Sequence, residues 1–408
     1  MHTAKPNIYL FNPTCEYAVA NGHYSWQPNK LLQKMELDLA TLPLFFAQPD
    51  DKVIVENIPG DAYLESLKSL DISSPGFILK QSITSGNPPS FQIDKLCPWG
   101  WSPAAHKLLD PLKPSCSEEF KKSPVFNWKP EYRNLYSKKF ALGILKELKA
   151  QFPYEHFIAD NLITQVCTTK DEYEILLKQW GKLMVKAPWS SSGRGLQPIT
   201  KTPIHPKVWE KLLGIVKDQG YAIVEPFLNK QLDLAIQFKA EQGKISFVGI
   251  SNFSADKKGQ YLGNNLNGLP ENTSPDVKEF AEFMLQIIIE PLQKTVEASD
   301  LTKMYEGFFG VDTLIFRNEY GNLKINPCLE INVRQNMGLL SLHLEKLIHQ
   351  GENGIFQIYY NSGITFLQFK TEMEKKYPLV LSDNKIKSGF FALTEAKHDT
   401  QFGAYILV

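Results

Sequence analysis

Short apolar runs alternate along the first hundred positions with stretches of helical spacing. Ile8–Phe11, Val53–Val55 and Phe77–Leu79 read as buried strands, and Met35–Ala47 and Asp61–Leu70 read as helices between them. That alternation predicts a small parallel α/β lobe. Ligands of such lobes sit beyond the carboxyl ends of strands, which draws attention to Asn12, Glu16 and Asn21; a capped turn is the plainer reading. Pro88–Asn127 reads as a long connection in which Trp99 and Trp101 either anchor the chain or line a pocket.

Beyond it the pattern changes. Ser137 caps a helix running to Leu148, Leu162–Val166 is a strand, and Thr169 with Glu172 makes a capping box for the next helix. A strand then ends at Lys186. His205-Pro206 opens a helix that stops at Gly220, and Tyr221–Glu225 is another apolar strand. Leu232–Phe238 and Ile245–Ile250 pair across Gln242-Gly243, followed by a polar stretch, Ser251–Leu269, that reads as a loop. Ser274-Pro275 starts a long amphipathic helix, and Phe308–Phe316 and Leu323–Ile331 form an antiparallel pair around a turn at Asn318–Gly321. Leu340–Ile348 reads as a helix; Ile364–Phe369, Gly389–Leu393 and Tyr405–Val408 read as strands.

A chain of 408 residues exceeds the length at which single cores divide, so several domains are expected. With 44 basic and 44 acidic residues it carries no net charge, which gives no reason to expect nucleic acid or an anionic membrane as partner. Five cysteines without CxxC spacing argue against a disulfide framework and a structural zinc site, and no apolar run approaches a membrane span. The N-terminus lacks the apolar core of a signal peptide, so a cytoplasmic protein is expected.

Candidate chemistry begins at Leu183–Gly195, where Lys186 ends a strand and a serine/glycine loop follows. Small residues let backbone N–H groups converge on an anion, and a lysine adds a point charge suited to phosphate; the same composition also makes plain surface turns. Downstream, Asp312 interrupts an apolar strand, and Glu330 and Asn332 share one face of the next. Two carboxylates and an amide oxygen are hard ligands of the kind magnesium takes. Pairing of Asp312 with a buried cation, and capping of a turn by Asn332, are the alternatives. Arg334 falls two positions further on.

Over Ser137–Gly338 these parts and their order resemble the ATP-grasp ligases, whose relatives include biotin carboxylase, D-alanine–D-alanine ligase and glutathione synthetase. The resemblance implies an α+β fold with an α/β N-terminal lobe, the nucleotide lying between two α+β subdomains. It implies division into an N-terminal lobe (1–130), two ATP-grasp subdomains (131–228 and 229–345) and a β-rich C-terminal extension (346–408) packing on the preceding lobes. Lys139, in Ser137–Lys139, and Lys186 would meet the phosphates, together with Ser190, Ser191, Ser192, Gly193, Arg194 and Gly195. Glu225, Pro226, Phe227 and Leu228 resemble the hinge that reads adenine, Asp233 falls near the ribose, and Asp312, Glu330 and Asn332 would hold one or two Mg²⁺ ions. Arg334 resembles the arginine that steadies an acyl phosphate, and with Lys186 it is the implied catalytic pair.

The implied activity is an ATP-dependent ligation on small molecules: a carboxylate becomes an acyl phosphate, which an amine or another nucleophile attacks. The partners implied are those two substrates, with neither nucleic acid nor membrane. Ser190–Gly195 and Ser251–Leu269 are the stretches expected to cover the intermediate. A phosphotransferase on the same fold is the alternative; a non-catalytic nucleotide-binding regulator has little use for three metal ligands.

Overall fold

A computed structural model describes residues 5–86, 90–190, 195–255 and 261–408. Its contacts separate two units, Met1–Trp128 with Leu262–Leu269 and Arg334–Val408, and Lys129–Tyr261 with Pro270–Val333.

The first unit begins with four parallel strands, β1 (Ile8–Leu10), β2 (Lys52–Val55), β3 (Gly76–Leu79) and β4 (Leu96–Pro98), in the order β3-β2-β1-β4. The first three are the strands read from the apolar runs. Met35–Ala47 is instead the end of a helix over Lys30–Asp38 and a 3-10 turn over Leu42–Phe45, because Pro43 cannot donate into a continuing helix. The expected long connection contains β4, and both of its tryptophans are buried, Trp99 standing edge-on to Phe11 at 4.9 Å.

The second unit contains β5 (Gln165–Cys167), β6 (Leu183–Lys186), β7 (Leu196–Ile199) and β8 (Ala222–Pro226), an antiparallel sheet ordered β5-β8-β6-β7. Helices Lys170–Trp180, with its capping box, and Pro206–Gln219, closed by left-handed Gly220, bury Tyr173, Leu177 and Leu212 against it. Next come β9 (Asn229–Glu241) and β10 (Lys244–Ala255). Their turn places Gln242 at φ 50° and Gly243 at φ 76°, the left-handed pair that matches strand twist.

Much of the polar stretch Ser251–Leu269 is strand rather than loop. The β10 strand reaches Ala255 within it, residues 256–260 lie outside the described residues, and β11 (Tyr261–Leu266) pairs with β14 (Gly354–Tyr360) in the first unit. Ser251, Asn252, Ser254, Asn264 and Asn265 occupy sheet positions, with Ser251 and Asn264 buried, because the hydrogen-bonding ladder rather than polarity decides there. After the Pro275–Glu297 helix, β12 (Gly307–Arg317) and β13 (Leu323–Asn332) complete an antiparallel set ordered β13-β12-β9-β10.

The chain finishes in the first unit with β14, a hairpin of β15 (Val380–Ser382) and β16 (Lys385–Ser388), then β17 (Phe390–Ala392) and β18 (Phe402–Leu407). Phe356, Phe402 and Ile406 share one core with Phe11, Val53 and Leu67, so residues after Arg334 and the N-terminal residues fold as one body. Ile364–Phe369 is a helix start rather than a strand. Thr365 and Gln368 form a capping box and Phe366 is buried as the first residue of Phe366–Lys376.

Gly403 on β18 lies against that phenylalanine: a Cβ there would stand 2.1 Å from the Phe366 ring. Neither a buried ring nor a central strand can yield, so Gly403→Ala is expected to cost about 3 kcal/mol in urea unfolding. A change under about 0.5 kcal/mol would contradict the packing. Among the described residues no helix is long and apolar enough to cross a membrane.

Candidate active site

Lys186 closes β6 and is buried there. Met184, two residues earlier on the same face, lies opposite Glu225 of β8, and this diagonal brings Lys186 Nζ to 2.7 Å from Glu225 Oε2. Burial opposes the ammonium charge, but Glu225, Glu330 and Asp312 outweigh it and hold the Lys186 pKa above the ordinary lysine value. Sites far apart in sequence thus share one electrostatic neighbourhood.

The carboxylates come from β12 and β13. Asp312 lies directly opposite Glu330, and Gly310 opposite Asn332, which puts all three candidate ligands on one face of the pair. Asp312 and Glu330 are eighteen positions apart in sequence. The turn over Asn318–Asn322 takes up part of that length, and two surplus residues bulge from β13 between the Asp312/Glu330 and Leu314/Asn326 pairs. Thr313 Oγ1 donates to the Pro327 carbonyl across the bulge at 3.3 Å. Among the described residues no group of three or more His, Cys, Asp or Glu is placed to hold a metal ion. Two carboxylates and an amide make a sparser set, one that a divalent cation would complete with phosphate oxygens and water.

Lys138 was not singled out in the sequence, yet it is buried and reaches this set. Its Nζ donates to Glu330 Oε1 at 2.9 Å and to the Ser190 carbonyl at 2.6 Å. The signal was present in the helix Lys138–Gln151: position 138 shares a face with Ala141, Leu142 and Leu145, all buried, whereas 139 does not. Lys139 is exposed, its ammonium 5.6 Å from the Tyr221 ring centroid.

The two ends of the serine/glycine loop meet. The Ala187 N–H donates to the Gly195 carbonyl at 3.1 Å, and Ser190 Oγ donates to the Ala187 carbonyl at 3.1 Å. Ser191, Ser192, Gly193 and Arg194 lie outside the described residues. Trp189 anchors the approach, its indole N–H donating to the Arg133 carbonyl at 2.9 Å beneath the Arg133 guanidinium.

Along the hinge candidate, Glu225 and Pro226 are buried in β8 while Phe227 is half-exposed. The Phe227 N–H donates to the Lys182 carbonyl at 3.3 Å. On β9, Asp233 pairs with Lys230 at 2.6 Å; burial raises its carboxyl pKa, and Lys230 and Lys186 pull it part of the way back.

Arg334, two residues past Asn332, belongs to the first unit, where its Nε donates to Glu16 Oε1 at 2.9 Å. Burial raises the thiols of Cys116 to about 11 and of Cys15 and Cys167 to about 12. Cys328 is pushed higher still by burial and the Asp312 charge, and none of these four is a ready nucleophile.

No protein-family model matches the chain. Over 322 residues it is 20% identical to the butirosin acyl-carrier protein–L-glutamate ligase of Niallia circulans, covering 76% of this chain and 66% of that one. The chain therefore spans just under two thirds of the length of this curated relative. The chain resembles the ATP-grasp ligases. Among solved structures it is similar to N5-carboxyaminoimidazole synthetase from Staphylococcus aureus complexed with ADP, with a TM-score of 0.49 and 12% identity over 100% of this chain and 95% of that one. It is also similar to the biotin carboxylase–β-γ-ATP complex from Campylobacter jejuni, with a TM-score of 0.47 and 12% identity over 87% and 86% of the two chains. Lys138, Lys186, Glu225, Asp312, Glu330 and Asn332 belong to the second unit and Arg334 to the first.

Proposed function

We propose that the protein is an ATP- and Mg²⁺-dependent ligase that activates the carboxylate of a small molecule as an acyl phosphate and passes it to an amine or other nucleophile. The observation that carries this reading is the gathering of Lys186, Glu225, Asp312 and Glu330 in one charged neighbourhood of the second unit. ATP brings ~4 negative charges, and phosphoryl transfer asks a protein chiefly to neutralise them and hold the oxygens in line. Lys186 and Lys138 supply buried positive charge. Asp312, Glu330 and Asn332 are the residues that would hold Mg²⁺, which when bound would offset the charge of the phosphates. Leu228 would offer the hinge N–H to adenine, since that of Phe227 is bonded to Lys182. Arg334 would steady the activated carboxylate. The name of the curated relative makes L-glutamate and an acyl-carrier protein the first partners to be screened.

ADP release is measured against a panel of carboxylic and amino acids, with hydroxylamine present to trap the acyl phosphate. Stimulation by one acid together with its hydroxamate is the expected outcome. A phosphorylated product without hydroxamate would replace the ligase with a phosphotransferase, and no ATP turnover with any acid would end both readings.

A further inference from the structure

Within the first unit the chain leaves β1 toward β2 and β3 on one side and returns on the other side of β1 as β4. Connections that diverge in this way leave a crevice beyond the carboxyl ends of β1 and β4. Asn12, just past β1, clasps Gly100, just past β4: Asn12 Nδ2 donates to the Gly100 carbonyl at 2.8 Å, and the Gly100 N–H donates back at 3.3 Å. Arg334 crosses the same place. A Cβ on Gly100 would lie 3.2 Å from that of Arg334 and 2.2 Å from Cys15 Sγ, and the Gln335 N–H donates to the Trp99 carbonyl at 2.8 Å.

Here two buried acceptors lack donors. Arg334 Nε holds Glu16 Oε1, but Glu16 Oε2 has no partner although the residue is only 5% exposed. The next residue along, Gln335, is 8% exposed and its Oε1 is also without a donor. Cys15, between these groups, feels positive charge from Arg334 and negative charge from Glu16 and Glu36. A buried carboxylate oxygen without a donor is costly. The ligand that answers it carries several donors, no acceptor at the contact, and a positive charge, which describes a primary ammonium.

We propose that Glu16 and Gln335, with Arg334 as the positioning residue that orients Glu16, form the subsite for the ammonium group of an amino-acid substrate. An amine held against an ionised carboxylate stays protonated and is a poor nucleophile. The amino acid bound here is therefore the carboxylate donor, and this last step rests on the ligase reading.

Calorimetry on the full chain, titrating the common L-amino acids and their des-amino counterparts with ATP measured in parallel, tests the assignment. At least one amino acid should bind at least about tenfold more tightly than its des-amino counterpart, a gap set by a charge-assisted hydrogen bond. Glu16→Gln should weaken that binding about tenfold and Gln335→Leu several-fold, with ATP affinity unchanged in both. The wild-type comparison needs no variant, and Gln335→Leu guards against a Glu16→Gln protein that fails to fold. Equal binding of amino and des-amino acids, or undiminished binding in folded Glu16→Gln, overturns the subsite, as does an absence of amino-acid binding while ATP binds. Amino-acid binding without ATP binding would uphold the subsite and sink the ligase reading instead.

Discussion

Glu330→Gln is expected to lower ATP turnover by at least about a hundredfold while leaving the chain folded. The substitution keeps the shape and one acceptor oxygen of a residue that lies opposite Asp312, and it halves the formal charge of the pair. Lys138 loses a charged partner at 2.9 Å but keeps the Ser190 carbonyl, and Glu330 is 20% exposed at its side chain, so the stability cost should be only about 1 kcal/mol. Magnesium dependence separates the two roles of Glu330. As a metal ligand, its loss is partly recovered by raising Mg²⁺, whereas Lys138→Met is not rescued in that way. Wild-type ADP release by a folded Glu330→Gln protein would remove this residue from the reaction, and identical Mg²⁺ profiles for the two variants would reduce it to a partner for Lys138.

What could be read in the chain beforehand follows the range of the interactions. Strand alternation placed Glu330 and Asn332 on one face, and antiparallel pairing with Asp312 followed from the Asn318–Gly321 turn, because both are local consequences of period two and turn chemistry. Thr169/Glu172 and Gln242-Gly243 were equally legible. Errors arose where a local preference met a ladder or a helix cap. Ser251, Asn252, Asn264 and Asn265 lie in strands because β9 and β14 offer them partners, and the apolar residues of Ile364–Phe369 join a helix because Thr365 and Gln368 cap it. That Lys138 rather than Lys139 is buried is a matter of helix phase, which the apolar spacing contained. By contrast, Glu16 and Arg334 are 318 positions apart, and no periodicity reaches that far. The same holds for the composition of the first unit, whose core joins Phe11 to Phe402.

Lys186→Met is expected to destabilise the protein by about 3 kcal/mol, and Glu225→Gln by only about 1 kcal/mol, although the two side chains form one ion pair at 2.7 Å. The inequality follows from what each substitution leaves behind. Both side chains are nearly buried, 11% and 12% exposed, so solvent screens little. Without Glu225 the ammonium still faces Glu330 and Asp312, which already help to raise its pKa. Without Lys186, Glu225 loses its partner, and the burial of Asp233 loses part of its compensation. The pH dependence has a definite sign. A lysine whose folded pKa exceeds its unfolded value, about 10.4, contributes fully below that value and loses its contribution as pH rises through the folded one. Urea unfolding from pH 7 to 11 should therefore show a constant gap between wild type and Lys186→Met up to about pH 10, narrowing above it. A gap that widened with pH, or a Glu225→Gln protein less stable than Lys186→Met, would mean that Lys186 is not surrounded by these carboxylates, and the positive charge on which nucleotide binding is argued would have to come from elsewhere.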